Sequence, residues 1–344
     1  MSVQVAIIGA TGYTGSELVR LLQDHSEVSI QSITSESYRG QRFSEVHPQF
    51  LGIADQELVN AQEAISRKPD VIFLALPHGV SMTYVKKFRE SQAKIVDLSG
   101  DFRLSTPDIY TSWYQQEHIY PEGFAEAVYG LPELHKEKIT SAKLAANPGC
   151  YPTSAILATA PLVKAGLIHT RSIIVDAKSG ITGAGAKAKE ANMYSNVNEN
   201  FQAYKLKSHR HTIEIEEQLS QLTEADTTVQ FTPHLLPIDR GILSTVYTHP
   251  LQNVSEAMLR ETYQDFYADA PFVRLRDVPP GVKDVRGSNF CDLYVTYDER
   301  TERIITLAAI DNLVKGAAGQ AMHNMNLMCG FAETQGFTGA PLRP

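Results

Sequence analysis

The stretch VQVAIIGATGYTGSELVRLLQDH, residues 3–25, decides the fold. Residues 3–8 are a short, mostly apolar run of the kind that forms a buried strand, and Leu18, Leu21 and Leu22 recur at helical spacing. Between them lie glycines spaced G-x-x-G-x-x-G, whose plain alternative is a tight turn. Strand, glycine loop and helix in this order form the first half of a dinucleotide-binding unit, because the glycines let the backbone approach a pyrophosphate at the helix N-terminus. The predicted cofactor contacts are Gly9, Thr11, Gly12, Tyr13, Thr14 and Gly15.

The residues just after the second predicted strand, residues 28–33, bear on the type of cofactor. An NAD site favours a carboxylate at this strand end, to bind the ribose hydroxyls. Here hydroxyl residues, including Ser35, come first, and Arg39 lies four residues after Ser35. Hydroxyls together with an arginine suit a 2′-phosphate, and this favours NADP. Glu36 leaves NAD open, and the alternative for Arg39 is a solvated loop residue.

Further strands are predicted at residues 71–76, 94–98 and 144–146, each an apolar run. They alternate with helical segments, which is typical of an α/β, Rossmann-type, doubly wound parallel sheet. Ligands of such sheets gather at the strand C-termini. The loops after these strands should therefore meet near the cofactor, and they carry Pro77, Ser99, Arg103 and Asn147.

The thiol in NPGCYPT, Cys150, lies between the strand at residues 144–146 and a predicted helix. A thiol reacts as thiolate, and a helix N-terminus favours that anion. We expect Pro152 to fit the first helical turn and Pro161 to kink or shorten the helix. The prediction is a catalytic nucleophile, and the alternative is a buried structural cysteine. Cys291 and Cys329, in apolar or helical runs, are interpreted as structural.

A thiolate nucleophile usually needs a proton-transfer partner, and SHRHTIEIEEQL supplies His209 and His211 just before a predicted helix. A metal site would require a third ligand, and the carboxylates in residues 214–217 are expected on a solvated face. Surface histidines are the third possibility. Because it is nearest the helix start, His211 is predicted to be the acid–base residue.

Cationic side chains suggest an anionic substrate. Arg103 can bind a phosphate with its planar guanidinium, Lys178 lies in a glycine-rich segment, and Arg240 lies in PIDRGI. Each alone is better explained as a surface ion-pair former, and only together with the glycine loop and the reactive cysteine do they indicate an anionic substrate.

Composition narrows the class of protein. The 344 residues carry 31 basic and 39 acidic side chains, a net charge of −8, which leaves no basic footprint for nucleic acid. No apolar run approaches the ~20 residues that span a bilayer, and the N-terminus lacks signal-peptide features. Three distant cysteines favour neither a disulfide framework nor a zinc site. A cytoplasmic enzyme without a metal, a membrane partner or a nucleic-acid partner is expected.

The chain resembles the N-acetyl-γ-glutamyl-phosphate reductase family, within the wider aspartate-semialdehyde dehydrogenase family. The resemblance rests on eight motifs in order along the chain: GATGYTG, DLSGDFRL, YGLPELH, NPGCYPT, KSGITGAG, SHRHTIEI, PIDRGI and NLVKGAAGQA. It implies an NADP-binding Rossmann domain at residues 1–149 plus 312–344, with Asn312 near the cofactor. An α+β catalytic and oligomerisation domain would occupy residues 150–311, in a homo-oligomer (dimer or tetramer). Ile213 replaces a proline common in relatives, which puts only the local helix start in doubt.

The resemblance also implies a reaction, NADPH-dependent reduction of N-acetyl-γ-glutamyl phosphate in arginine biosynthesis. Cys150 would form a thioester, His211 would move protons and His209 would line the site. Substrate binding would fall to Ser99, Arg103, Asn147, Lys178 and Arg240. Alternatives are a sister reductase of an aminoadipyl or aspartyl phosphate, and a non-catalytic NADP(H)-sensing protein.

Overall fold

A computed structural model describes residues 2–89 and 91–343. The chain divides into two compact units. The first runs to Pro148 and includes Ala317–Thr338, and the second comprises Gly149–Gly316 and the segment that begins at Gly339. The sequence prediction assigns residues 149, 312–316 and 339–343 to the first domain, but they pack within the second unit.

The first unit contains a six-stranded parallel sheet. Its strands are β1 (Val3–Ile8), β2 (Val28–Ile33), β3 (Val71–Leu74), β4 (Lys94–Asp97), β5 (Ala127–Tyr129) and β6 (Leu144–Ala146). The helices between them are α1 (Tyr13–Leu22), α2 (Phe43–Val46), α3 (Ala61–Ser66), α4 (Ser81–Phe88), α5 (Pro107–Tyr114), α6 (Gly123–Glu126) and α7 (Pro132–Ser141). The strand order is β2-β1-β3-β4-β6-β5, with every pairing parallel. This confirms the predicted Rossmann-type sheet, although β3 and β4 end two residues and one residue earlier than predicted.

The apolar runs explain this sheet. All four residues of β3 and the last four of β1 are buried, as expected for parallel strands covered on both faces. One face of the sheet packs against α4 through Met82, Val85 and Phe88. The strand order reverses between β1 and β3, which is where ligands bind in doubly wound sheets.

The second unit contains a seven-stranded mixed sheet in the order β11-β12-β13-β10-β7-β9-β8. Its strands are β7 (Ile173–Gly180), β8 (Gln202–Ala203), β9 (Val229–Leu236), β10 (Ile242–Thr248), β11 (Val273–Leu275), β12 (Cys291–Asp298) and β13 (Arg303–Ile310). Its helices are α8 (Cys150–Lys164), α9 (Tyr194–Val197), α10 (His211–Ser220) and α11 (Glu256–Phe266). The mixed sheet with its helices confirms the predicted α+β architecture.

The last predicted helix, residues 312–330, has two parts. A π-helical turn, Val314–Ala318, comes first, and the α-helix α12 (Gly319–Cys329) comes next as part of the first unit. In the described part of the chain, no helix combines the length and the apolar character that a membrane crossing requires.

The expectation that Pro161 shortens α8 is wrong, since the helix continues to Lys164. Proline has no N–H to donate to the carbonyl four residues earlier, here that of Leu157. The hydroxyl of Tyr267 donates to this carbonyl instead, at 2.6 Å. Tyr267, which lies 110 positions after Leu157 in the sequence, therefore replaces the hydrogen bond that the proline removes.

We predict that Tyr267→Phe destabilises the protein, because it leaves the buried Leu157 carbonyl unpaired, at a cost of about 1–3 kcal/mol. In a Pro161→Ala background the restored N–H can pair with that carbonyl, so Tyr267→Phe should lower the free energy of unfolding by less. Urea unfolding of the four proteins measures both effects. Tyr194→Phe, at a residue that is 81% exposed, is the matched control. Equal losses in both backgrounds would contradict this explanation.

Candidate active site

The glycines of the first loop have different structural roles. Gly9 has φ of +88°, and a Cβ there would lie 2.5 Å from the Ala75 carbonyl oxygen. A Cβ on Gly15 would lie 2.3 Å from the Gly9 oxygen. A Cβ on Gly12 would meet no atom closer than 3.9 Å. Gly9 and Gly15 therefore close the turn, and Gly12 leaves open space beside the helix start.

That open space adjoins the free end of α1. Its first backbone amides, at Tyr13, Thr14 and Gly15, precede the first helical hydrogen bond, which the Ser16 N–H donates to the Gly12 carbonyl at 2.8 Å. Backbone amides at a helix N-terminus bind phosphate groups. The loop fits a dinucleotide pyrophosphate.

The end of β2 lies against the same loop. Thr34 Oγ1 accepts a hydrogen bond from the Gly9 amide at 3.1 Å, and the hydroxyls of Thr11 and Ser35 lie 3.1 Å apart. Arg39 is exposed, and among residues 2–89 and 91–343 it has no ion-pair partner. The structure thus brings Thr11 and Ser35 together, with Arg39 four residues further along the chain. Pro77, beyond the end of β3, is exposed.

Ser99 belongs to a buried acidic network at the end of β4. Its hydroxyl donates to Asp97 Oδ2 at 2.8 Å and accepts from the Asp101 amide at 3.1 Å. Burial, with the neighbouring charge of Asp101, raises the pKa of Asp97 to about 6. Ser99 therefore shapes the loop through its own hydrogen bonds.

Arg103 and Asn147 are buried together. Arg103 Nε donates to the Asn147 carbonyl at 2.7 Å, and its Nη2 donates to the Leu98 carbonyl at 2.8 Å. The Asn147 side-chain amide donates to the Ala317 carbonyl at 3.1 Å and accepts from Asn324 at 3.0 Å. These contacts fasten the loop that leads to Cys150.

Cys150 is the first residue of α8 and is half-buried, with Gly149 as the N-cap. Residues 151–163 of this helix are all buried, so packing along the helix fixes the position of its first residue. A negative charge at this position is favoured by the helix dipole. Cys291 is fully buried in β12, and burial raises the pKa of Cys329, the last residue of α12.

His211 is the first residue of α10, and its ring lies against Gly149. A Cβ on Gly149 would be 2.5 Å from His211 Nε2. One turn along α10, the Glu214 side chain is 1% exposed and its Oε1 accepts a hydrogen bond from the Gly149 amide at 2.8 Å. The expectation of a solvated carboxylate is therefore wrong for Glu214. The same helix presents an imidazole and a carboxylate to the residue before Cys150.

His209 is enclosed by aromatic rings. Its ring centroid lies 5.8 Å from that of Tyr151, 5.5 Å from that of Tyr204 and 5.3 Å from that of Phe231. Burial, with the charges of neighbouring cations, lowers the pKa of His209 to about 3. The His211 amide donates to His209 Nδ1 at 3.2 Å, so the proton of the neutral ring resides on Nε2. His209 is a fixed hydrogen-bond donor at neutral pH.

The predicted anion-binding cations of the second unit are both paired. Lys178 Nζ lies 2.9 Å from Asp176 Oδ2, and Arg240 Nη2 lies 3.1 Å from Asp311 Oδ1. Asn312 is buried beside this second pair and accepts a hydrogen bond from the Gly241 amide at 2.7 Å. Arg240 and Asn312 thus lie together in the second unit.

Two residues that hold these groups, Glu214 and Asp311, are not among the site residues predicted from the sequence. Glu214 lies three residues after His211, a spacing that places both on one helix face. Asp311 is fully buried and accepts hydrogen bonds from the amides of Gly287, Leu313 and Val314, at 2.7, 2.9 and 3.2 Å. The helix spacing was a usable signal for Glu214, but the burial of Asp311 depends on distant strands.

Comparison with known proteins identifies the family. Residues 4–142 match the semialdehyde dehydrogenase NAD binding domain, and residues 150–312 match the semialdehyde dehydrogenase dimerisation domain. The N-acetyl-gamma-glutamyl-phosphate reductase of Citrifermentans bemidjiense is 50% identical, over 99% of this chain and 100% of that protein. The reductase of the same name from Pelotomaculum thermopropionicum is 49% identical, over all of both chains.

The chain belongs to the N-acetyl-gamma-glutamyl-phosphate reductase family. It is therefore an oxidoreductase with a nicotinamide cofactor, which decides against a non-catalytic sensor.

Solved structures agree on the fold. Aspartate semialdehyde dehydrogenase II from Vibrio cholerae, complexed with ASA, has a TM-score of 0.74 and 17% identity, over 96% of this chain and 99% of that chain. The aspartate semialdehyde dehydrogenase with NADP from Candida albicans has a TM-score of 0.70 and 13% identity, over the same shares of the two chains. The family therefore shares its architecture with more distant semialdehyde dehydrogenases.

Proposed function

We propose that the protein reduces N-acetyl-γ-glutamyl phosphate to N-acetyl-glutamate semialdehyde with NADPH, through a thioester on Cys150, in arginine biosynthesis. The observation that carries the proposal is the thiol at the first residue of α8, with the His211 ring against the adjacent Gly149. The relatives' names support the substrate. The alternative is that the substrate is an aminoadipyl or aspartyl phosphate. An activity assay that compares the three acyl phosphates distinguishes these possibilities.

Cys150 attacks the γ-carbonyl carbon, and the bond from that carbon to the phosphate oxygen breaks. Phosphate leaves and a thioester remains, which accepts a hydride more readily than a carboxylate does. When bound, the reduced nicotinamide supplies the hydride that converts the thioester to a thiohemiacetal. Breaking the C–S bond then releases the aldehyde and restores the thiol.

The two histidines divide the remaining work. His211 accepts the thiol proton and supplies a proton to the oxygen that gains negative charge. His209, neutral at physiological pH, lines the site and donates a hydrogen bond from Nε2. Glu214 holds the Gly149 amide, which fixes the start of α8 under the nucleophile.

Anion binding is proposed for the cations predicted from sequence. In the second unit, Arg240 is oriented by Asp311, and Lys178 is a further candidate whose ammonium is already paired with Asp176. In the first unit, Arg103 holds the Asn147 loop, and Ser99 supports the neighbouring loop. We infer that these residues bind the substrate directly or fix the loops that do.

The cofactor is proposed to be NADP, held by the first unit. Gly12 and the first amides of α1 would take the pyrophosphate, and Ser35 with Arg39 would take the 2′-phosphate. Guanidinium binds phosphate in a bidentate manner, which a ribose hydroxyl cannot reproduce. Pro77 and Asn312 remain proposed cofactor contacts.

A homo-oligomer is proposed because the second unit matches a dimerisation domain. Helices α8, α10 and α11 pack on its sheet, whose other face stays partly exposed along β10, β12 and β13. That face carries apolar side chains, including Leu243, Tyr294 and Leu307, which we propose a second copy covers.

The proposed function predicts NADPH oxidation that depends on N-acetyl-γ-glutamyl phosphate, measured by absorbance against the aspartyl and aminoadipyl phosphates. Cys150→Ser should abolish turnover and leave NADPH binding intact, because a serine hydroxyl is far less ionised than a thiol. Cys329→Ser is the control and should stay active. Iodoacetamide should label Cys150 before Cys291 and Cys329. Full turnover by Cys150→Ser would end the thioester proposal, and a preference for another acyl phosphate would end the substrate assignment.

The histidine roles predict different kinetic effects. His211→Asn should lower kcat by about 10²–10⁴ and change the pH–rate profile, since it removes general acid–base help. His209→Asn should act mainly on KM and leave the shape of the profile, because His209 does not titrate near neutral pH. Steady-state kinetics across pH measure both. A normal kcat for the His211 variant beside an impaired His209 variant would reverse the roles.

The proposed NADP site predicts tighter binding of NADPH than of NADH. Arg39→Ala should reduce the difference between the two binding free energies by about 1.5–3 kcal/mol, the range for a hydrogen bond to a charged group. Titration by fluorescence gives both dissociation constants. Arg20→Ala, which removes an arginine paired with Glu17 on α1, is the control. Equal constants in the unmodified protein would rule out the NADP assignment.

The oligomer proposal predicts a mass of at least two chains by light scattering. Leu307→Lys should shift it toward one chain, because a charge on an apolar interface opposes association. Leu51→Lys, at a residue that is 76% exposed in the first unit, should not change it. A single-chain mass for the unmodified protein would contradict the proposal.

A further inference from the structure

Two glycines beside the nucleophile have backbones that other residues could adopt. Gly149 has φ of −68° and ψ of 153°, an ordinary extended conformation. Gly316 lies in the π-helical turn Val314–Ala318, and its φ is not positive. Backbone conformation therefore does not explain why either residue lacks a side chain.

Space explains Gly149. A Cβ there would lie 2.5 Å from His211 Nε2 and 2.9 Å from both Cδ2 and Cε1 of the same ring. Carbon atoms do not approach ring atoms this closely, so an added methyl group would displace the imidazole. The bare Cα thus serves as the surface on which the His211 ring rests.

Space also explains Gly316. A Cβ there would lie 2.8 Å from Cys150 Cβ and 3.2 Å from Cys150 Cα. These atoms belong to the start of a buried helix, so the π-helical turn or the helix end would have to move. Asp311 holds the π-helical turn in place, because its carbonyl accepts from the Gly316 amide at 2.9 Å in an i to i+5 hydrogen bond. Such π-helical turns occur frequently at functional sites.

We propose that Gly149 and Gly316 are positioning residues that set the place of the His211 ring and of the Cys150 side chain. This rests on the proposed function. Both act through steric contact: one glycine faces the base and the other faces the nucleophile. A side chain at position 149 displaces the imidazole, and one at position 316 displaces the π-helical turn or the helix start that carries the thiol.

The test compares Gly149→Ala and Gly316→Ala with Gly281→Ala. The control adds the same methyl group to the same unit, where the nearest atom, Asp284 Oδ2, is 3.7 Å away. The readouts are kcat, KM, NADPH affinity, and the iodoacetamide alkylation rate of Cys150 across pH. We expect both variants to lose about 10²-fold in kcat, the effect of a 1 Å misplacement, with NADPH affinity unchanged. Gly149→Ala should also alter the pH profile of alkylation, and Gly281→Ala should match the unmodified protein.

The contacts are tested separately from activity. With His211→Ala the ring is gone, so adding Gly149→Ala should not change the alkylation profile further. Gly316→Ala alone should lower the melting temperature, because the π-helical turn or the helix start must move. With Cys150→Gly the contacted Cβ is gone and the Cα at 3.2 Å remains, so adding Gly316→Ala should lower the melting temperature less. If Gly316→Ala does not fold, recovery of folding in that double variant supports the proposal and its absence contradicts it. Unmodified kinetics and alkylation in both alanine variants would overturn it. An unmodified protein that reduces no acyl phosphate would end the proposed function, while the alkylation profiles and melting temperatures would still decide the role of the glycines.

Discussion

The candidate site depends on one hydrogen bond, from the Gly149 amide to the buried carboxylate of Glu214. Gly149 caps α8 and Glu214 lies in α10, so this bond ties the start of one helix to the first turn of another. Cys150 begins the first helix and His211 begins the second. A carboxylate with 1% exposure is costly to bury unless it is paired, so the bond and the packing of the two helices stabilise each other.

Among the titratable groups of the second unit, His209 is neutral and Arg240 is ion-paired. The aromatic enclosure of His209 keeps its ring uncharged, with the pKa near 3. Arg240 is paired with the buried Asp311, and that carboxylate also accepts backbone amides from two loops. Groups held in this way cost little reorganisation when a charged substrate arrives, which is the condition for electrostatic stabilisation in a closed site.

Local patterns were sufficient for much of the fold. The apolar run of β1, the glycine loop and the leucines of α1 are periodic within a few residues, and the structure has all three as predicted. The position of Cys150 at a helix start could also be predicted, from the proline two residues later. The three-residue strand β5 is too short to show a period and was not predicted, whereas β6, of equal length, was predicted because it leads into the cysteine loop.

Long-range contacts account for the remaining differences. Pro161 stays inside its helix because Tyr267 of another element satisfies the Leu157 carbonyl. Glu214 looks like a surface residue until α10 packs beside Gly149. The neighbouring sequence gives no sign of the Tyr267 contact, and for Glu214 it gives only the three-residue spacing from His211. The roles of the cations and glycines at the site likewise depend on which partner each one meets.

The second unit is almost entirely one uninterrupted segment, Gly149–Gly316, and its two ends meet. The last residue of the segment packs against the second, since a Cβ on Gly316 would lie 2.8 Å from Cys150 Cβ. Domains with adjacent termini can be inserted into a loop of a host domain, because the host needs only a narrow gap. A gene segment that encodes this unit would therefore include Cys150, His211 and Glu214 together, and its insertion into another protein would transfer all three at once.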